Sequence, residues 1–145
     1  MSNNKNISVG KKVIRIEADA VSSIIDRIND HFDEAVNTIL NCEGRLIVAG
    51  VGKSGLISQK IASTMASTGT PSHFVHPGDA FHGDLGMITD NDVVLIISNS
   101  GETHELIQIL PVIKKRGIKI IGMIGRENST LSKNIDILLD TSVEQ

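Results

Sequence analysis

From residue 11 to residue 28 the chain places Val13, Ile14, Val21, Ile24, Ile25 and Ile28 at spacings of three, four and seven. That is the period of an amphipathic helix. A second helix is predicted over residues 29–41, with Phe32, Val36, Ile39 and Leu40 on one side. Residues 1–9 are polar and read as a flexible N-terminal lead. Beyond residue 45 the rhythm changes. Leu46 to Ala49, Val93 to Ile97, Ile118 to Ile124 and Ile135 to Leu139 are short, largely apolar runs, and Ser72 to Val75 is a weaker one. Runs that do not alternate with polar residues suit strands covered on both faces in a parallel sheet. Helices are predicted between them, over residues 55–67, 102–116 and 129–133. Strands alternating with helices imply right-handed crossovers and a doubly wound α/β fold. The expected fold class is α/β: a five-stranded parallel sheet in the order 2-1-3-4-5, flanked by helices, with two leading N-terminal helices. Residues 10–145 form one domain.

In an open parallel sheet, ligands sit beyond the carboxyl ends of the strands, where the strand order reverses. With the order 2-1-3-4-5 that point lies between the first and third strands. The turns there, residues 50–55 and 98–103, are the most glycine- and serine-rich of the chain. Topology and composition therefore indicate one crevice.

Composition narrows the occupant. The 145 residues include no Trp, no Tyr and three Phe, and carry a net charge of −3. Base-stacking platforms and a basic stripe are both missing, so nucleic acid is not an expected partner. No apolar run reaches about 18 residues, so no membrane span is expected. Cys42 is the single cysteine. No intrachain disulfide can form, which fits a reducing, cytoplasmic setting.

The first turn is Gly50-Val51-Gly52-Lys53-Ser54-Gly55. Three spaced glycines after a strand formally match the dinucleotide fingerprint. The second strand, however, ends in Phe74-Val75-His76-Pro77, with no acid to hold a ribose. The ATP-type phosphate loop fails as well, because its leading glycine position holds Ile47. What remains is a glycine turn that presents Lys53 at a helix start. The second turn is Ser98-Asn99-Ser100-Gly101-Glu102-Thr103. It too leads from a buried strand into a helix, whose exposed amides and dipole favour an anion. Ser98, Ser100 and Thr103 add hydroxyl donors, which suits a phosphate monoester that must bind and leave. Asn99 followed by Glu102 also matches a capping box, a reading compatible with phosphate binding. Glu102 and Glu105 lie three apart, on one side of the predicted helix start. A third segment, residues 76–86, is dense in His and Asp. His76, Asp79, His82 and Asp84 could hold a metal, although their spacing fits none of the strong zinc patterns.

Taken together, the stretches GVGKSG (50–55), STGTP (67–71), FVHPGDAFHGDLGM (74–87) and SNSGETHE (98–105) resemble the sugar isomerase (SIS) domain family, and within it the arabinose-5-phosphate isomerases. The resemblance runs from about residue 10 to the end. It implies interconversion of D-ribulose 5-phosphate and D-arabinose 5-phosphate, the first step toward the Kdo sugar of lipopolysaccharide or capsule. It implies catalytic roles for Lys53 and Glu105, and substrate contacts from Ser54, Gly69, Thr70, His82, Ser98, Asn99, Ser100, Glu102 and Thr103. His76 falls where zinc can sit in the family, and no cofactor is required for the reaction itself. A homo-oligomer, dimer or tetramer, is also implied. The family carries a further glutamate and histidine downstream of the fifth strand, and paired regulatory domains beyond. This sequence stops at Glu144-Gln145, which reads as a shortened form whose turnover is in question. Two other readings stay open. One is a non-catalytic sugar-phosphate sensor, and the other is an isomerase of a hexulose phosphate.

Aldose–ketose isomerisation moves a proton between C1 and C2 through an enediolate. It needs a base near both carbons and a donor or cation for the oxyanion. Lys53 is the expected stabiliser of that oxygen. Glu105 is expected to position sugar hydroxyls or relay a proton.

Overall fold

The computed structural model describes residues 3–80 and 84–143. The chain forms β1 (Leu46–Ala49), β2 (Ser72–Val75), β3 (Val93–Ser98), β4 (Lys119–Ile124) and β5 (Ile137–Asp140). All pair in parallel, in the order β2-β1-β3-β4-β5. The helices are α1 (Asn3–Ser22), α2 (Asp30–Leu40), α3 (Gly52–Ser67), the short α4 (Pro77–Ala80) and α5 (His104–Lys115).

Strand residues alternate between two cores. Ile47, Ala49, Val94, Ile96 and Ile120 meet Leu106, Ile109 and Ile113 of α5 on one face. Leu46, Val48, Val93, Leu95 and Ile121 meet Ala35 of α2 and Ala62 of α3 on the other. This double cover is why the strands are apolar throughout. Burying one such aliphatic side chain contributes about 1.5–3 kcal/mol. The amino end of the sheet is closed by Asp92, 3% exposed. Its carboxylate accepts from the backbone N–H of Arg45 and of Thr89, each at 2.7 Å, and pairs with the Arg45 guanidinium at 3.7 Å. A buried charge is tolerated because these partners replace water.

Several boundaries differ from the sequence reading, most of all at the first helix and after β4. The first helix begins at Asn3 rather than near residue 11, because Ile7 and Val9 continue the apolar rows of Ile14 and Val13. It ends at Ser22, and a 3₁₀ turn over Ile25–Arg27 leads to α2. The helix expected over residues 129–133 is only a 3₁₀ turn, Ser132–Asn134. There the Ser129 and Ser132 hydroxyls bond each other at 3.0 Å and also bond nearby backbone. Such local bonds compete with a regular helix.

Candidate functional site

The site is built where the strand order reverses. Ala49, the last residue of β1, pairs with Ile96 of β3. The turns that follow therefore leave neighbouring strands, about 4.8 Å apart. α3 then packs on one face of the sheet and α5 on the other. The chain diverges between them, the arrangement at which open parallel sheets form a ligand crevice.

In the first turn, glycines permit close approach. A Cβ on Gly50 would stand 2.6 Å from Ser58 Oγ and 2.9 Å from Ser54 O. Val51 holds the N-cap position of α3 and supplies no side-chain cap. Gly55 N donates to Val51 O at 3.2 Å. The amides of Gly52, Lys53 and Ser54 precede that first turn and have no acceptor within the helix. Lys53 is exposed there, and Ser54 is half-buried.

The second turn repeats this arrangement. Thr103 is the N-cap of α5 and gives no cap hydrogen bond. Its hydroxyl bonds Ser98 Oγ at 2.8 Å instead. Ile107 N donates to Thr103 O at 3.0 Å, so the amides of His104, Glu105 and Leu106 lack helical acceptors. Ser98 is 2% exposed, and its Oγ also accepts from Gly101 N at 3.0 Å. Ser100 Oγ accepts from Glu102 N at 3.2 Å. Asn99 and Ser100 are exposed, and Glu105 is half-buried. Lys53 and Glu105 thus occupy equivalent places, each the second residue of a helix that starts at the crevice.

The capping box expected from Asn99 and Glu102 is not formed. The helix starts five residues after Asn99, with Thr103 as its N-cap, and Glu102 lies in the turn before it. Glu102 Oε1 accepts from Thr130 N at 2.8 Å. That backbone bond, then the Thr130 side chain, with the Arg126 and Lys133 charges nearby, hold the Glu102 carboxyl below its ordinary range. Sequence reasoning missed this partner segment. After β4, Gly125 N donates to Ser98 O at 3.2 Å and Leu131 N to Gly101 O at 3.0 Å. Ser129, fully buried, lies against Gly101. The one available signal is the Ser129-Thr130 pair, which in the sequence reads as the start of a helix.

Two expected contacts fall elsewhere. Gly69 and Thr70 precede β2 and line a cavity with Cys42, Gly44 and Leu46 at the amino end of the sheet. β1 runs its full length between them and the turn at residues 50–55, roughly 13 Å at a strand's rise. They do not join the crevice of their own chain. His82 lies outside the described residues. His76 follows β2 at the carboxyl edge, half-buried, and its Nδ1 accepts from Gly78 N at 3.2 Å. Among the described residues no three His, Cys, Asp or Glu side chains gather as a metal set.

Chemically, the crevice offers two sets of unused amides, small hydroxyls, one exposed lysine and one carboxylate. That set suits a phosphate monoester attached to a hydroxylated carbon chain.

Comparison with known proteins agrees. The SIS domain family matches residues 39–145. The chain is 51% identical over 146 residues to arabinose 5-phosphate isomerase KdsD of Pseudomonas aeruginosa, covering 100% of this chain and 45% of that protein. It thus spans a little under half the length of this curated relative. The solved structure of E. coli CFT073 c3406 in complex with arabinose 5-phosphate superposes with a TM-score of 0.92 at 42% identity, covering 99% of this chain and 77% of that one. A sugar-phosphate isomerase structure from Listeria monocytogenes, itself described as putative, gives a TM-score of 0.94 at 29% identity, covering 100% and 76%. The match over residues 39–145, on a sheet of this strand order, settles the affiliation: the chain belongs to the SIS domain family.

Proposed function

We propose that the chain is the isomerase domain of a cytoplasmic, homo-oligomeric enzyme that interconverts D-ribulose 5-phosphate and D-arabinose 5-phosphate, feeding Kdo synthesis. One observation carries the reading. Two helices begin at neighbouring strand ends, and neither has a side-chain cap. Their unused amides, with the hydroxyls of Ser98, Ser100 and Thr103, suit a phosphate group. The relatives' names support arabinose 5-phosphate as the sugar.

In this reading the phosphate rests on the turn at residues 98–103, while Ser54 and Asn99 flank the sugar. Lys53 meets the oxygen that becomes negative in the enediolate. A preorganised donor aimed at such an oxyanion is worth about 10²–10³ in rate. Glu105 holds sugar hydroxyls or relays the proton between C1 and C2. Glu102 serves the site by fixing the turn through Thr130 rather than by contacting sugar. His82 remains a proposed substrate contact. Gly69 and Thr70 are given no part in the site of their own chain.

Calorimetric titration with arabinose 5-phosphate, beside a turnover assay on the same chain, tests the reading. Saturable binding that is lost in the Ser98→Ala/Ser100→Ala double variant is expected. Binding that survives this variant unchanged contradicts the phosphate assignment.

A further inference from the structure

The turn after β3 carries negative charge of its own. Glu102 falls within it, and Glu105 follows in the first turn of α5. A phosphate monoester adds about −1.5 to −2 charges at neutral pH. Against that, the start of α5 offers the equivalent of roughly +0.5 charge, and the hydroxyls of Ser98, Ser100 and Thr103 are neutral. Lys53, in the reading above, is taken by the sugar oxygen. Amides and hydroxyls alone therefore leave an uncompensated anion beside two carboxylates, and like charges oppose its ionised form.

The segment after β4 brings a cation to this turn. Gly125, the residue that follows β4, donates its N–H to Ser98 O at 3.2 Å. It packs so closely that a Cβ there would collide with Asn99 Oδ1 and stand 2.7 Å from Asn99 O. Farther along the segment, Thr130 N donates to Glu102 Oε1 at 2.8 Å and Leu131 N to Gly101 O at 3.0 Å. Arg126 lies between these anchors, directly after the glycine that touches the turn.

Its side chain is free to act. Arg27, Arg45 and Arg116 are each paired with an aspartate. Arg126 is exposed and forms no ion pair among the described residues. Its charge nevertheless reaches the turn. The Glu102 carboxyl, lowered first by its bonds to Thr130, is lowered further by Arg126 and then by Lys133. Lys133 stands farther along the segment, in the 3₁₀ turn. A guanidinium also presents its donors as a planar fork that matches phosphate oxygens.

We infer that Arg126 is a phosphate-binding residue of this site, its guanidinium pairing with the anion seated on the turn at residues 98–103. The inference rests on the phosphate reading of that turn and adds the cation the turn itself lacks.

Titration of the 145-residue chain with inorganic phosphate, followed by amide chemical shifts, tests it. Arg126→Gln should weaken phosphate about tenfold or more, as expected for the loss of one charge-assisted contact. Its affinity should also depend less steeply on salt than that of wild type. Its urea midpoint should not move. Lys119→Gln removes the same charge from the opposite end of β4, and should leave the affinity unchanged. Arg126→Lys, which keeps the charge and loses the fork, should fall between wild type and Arg126→Gln. An unchanged affinity in Arg126→Gln, an equal loss in Lys119→Gln, or a loss that tracks a fall in urea midpoint overturns the proposal. If wild type and Arg126→Gln show the same phosphate-induced shifts at residues 98–105 with equal affinity, this inference fails while the site reading stands. If wild type shows no shifts there, the site reading fails and takes the inference with it.

Discussion

The Glu102 carboxylate accepts a hydrogen bond from the backbone N–H of Thr130 at 2.8 Å, tying the turn after β3 to the turn after β4. The turn after β3 is therefore held from outside its own helix. Because Thr130 and its neighbours lower the Glu102 pKa from 4.5, the bond has a pH signature. A lowered folded-state pKa contributes stability that is present above the unfolded value and is lost as pH falls through the folded value. Wild type should exceed Glu102→Gln in urea midpoint near neutrality, and the difference should vanish in acid, below the ordinary carboxylate range. Glu102 is fully exposed, so the effect is small. A difference that stays constant with pH would show that the carboxylate charge takes no part.

Gly101 has φ +65° and faces the Ser129 side chain with no room for a Cβ. Gly101→Ala should cost about 2–4 kcal/mol, from left-handed backbone strain together with overpacking. Gly117 has φ +71° but open space around it. Gly117→Ala should cost only about 1–2 kcal/mol. Urea unfolding of both variants separates strain from crowding.

Ser98 is buried and accepts from Gly101 N while bonding Thr103 Oγ1. Ser98→Ala leaves that N–H without its partner and should cost about 1–3 kcal/mol. Exposed Ser100 should differ: Ser100→Ala should weaken phosphate binding and shift the urea midpoint little. Equal midpoint losses in the two variants would contradict this division.

Lys53 is exposed and forms no ion pair among the described residues. In an active form of the protein, Lys53→Ala should therefore leave stability unchanged. It should lower kcat about 10²-fold or more, with a smaller change in KM. A loss confined to KM would place Lys53 in ground-state binding instead.

The sheet was legible because its strands carry unbroken apolar runs, and the crevice because glycine and serine cluster at the two strand ends flanking the reversal. Other features were hidden for identifiable reasons. Asn99 and Glu102 have capping-box spacing, and nothing local shows that Thr103 holds the N-cap while its hydroxyl turns to Ser98. Gly69 and Thr70 sit close in sequence to His76, but β2 runs between them, so they lie at opposite ends of the sheet. The Glu102–Thr130 bond spans 28 residues, beyond the reach of any pattern in a single turn. The early start of α1 was masked by polar residues around Ile7 and Val9.

The central claim is that the turn after β3 and the main-chain amides at the start of α5 receive the phosphate, while the start of α3 faces the sugar. Amide chemical shifts of the ¹⁵N-labelled chain during titration with arabinose 5-phosphate test it most directly. The largest perturbations should fall on Gly52, Lys53 and Ser54 and on Ser100 through Glu105, with inorganic phosphate reproducing those at the second turn. Perturbations centred instead on the amino end of the sheet, around Asp92 or Thr70, would contradict the account.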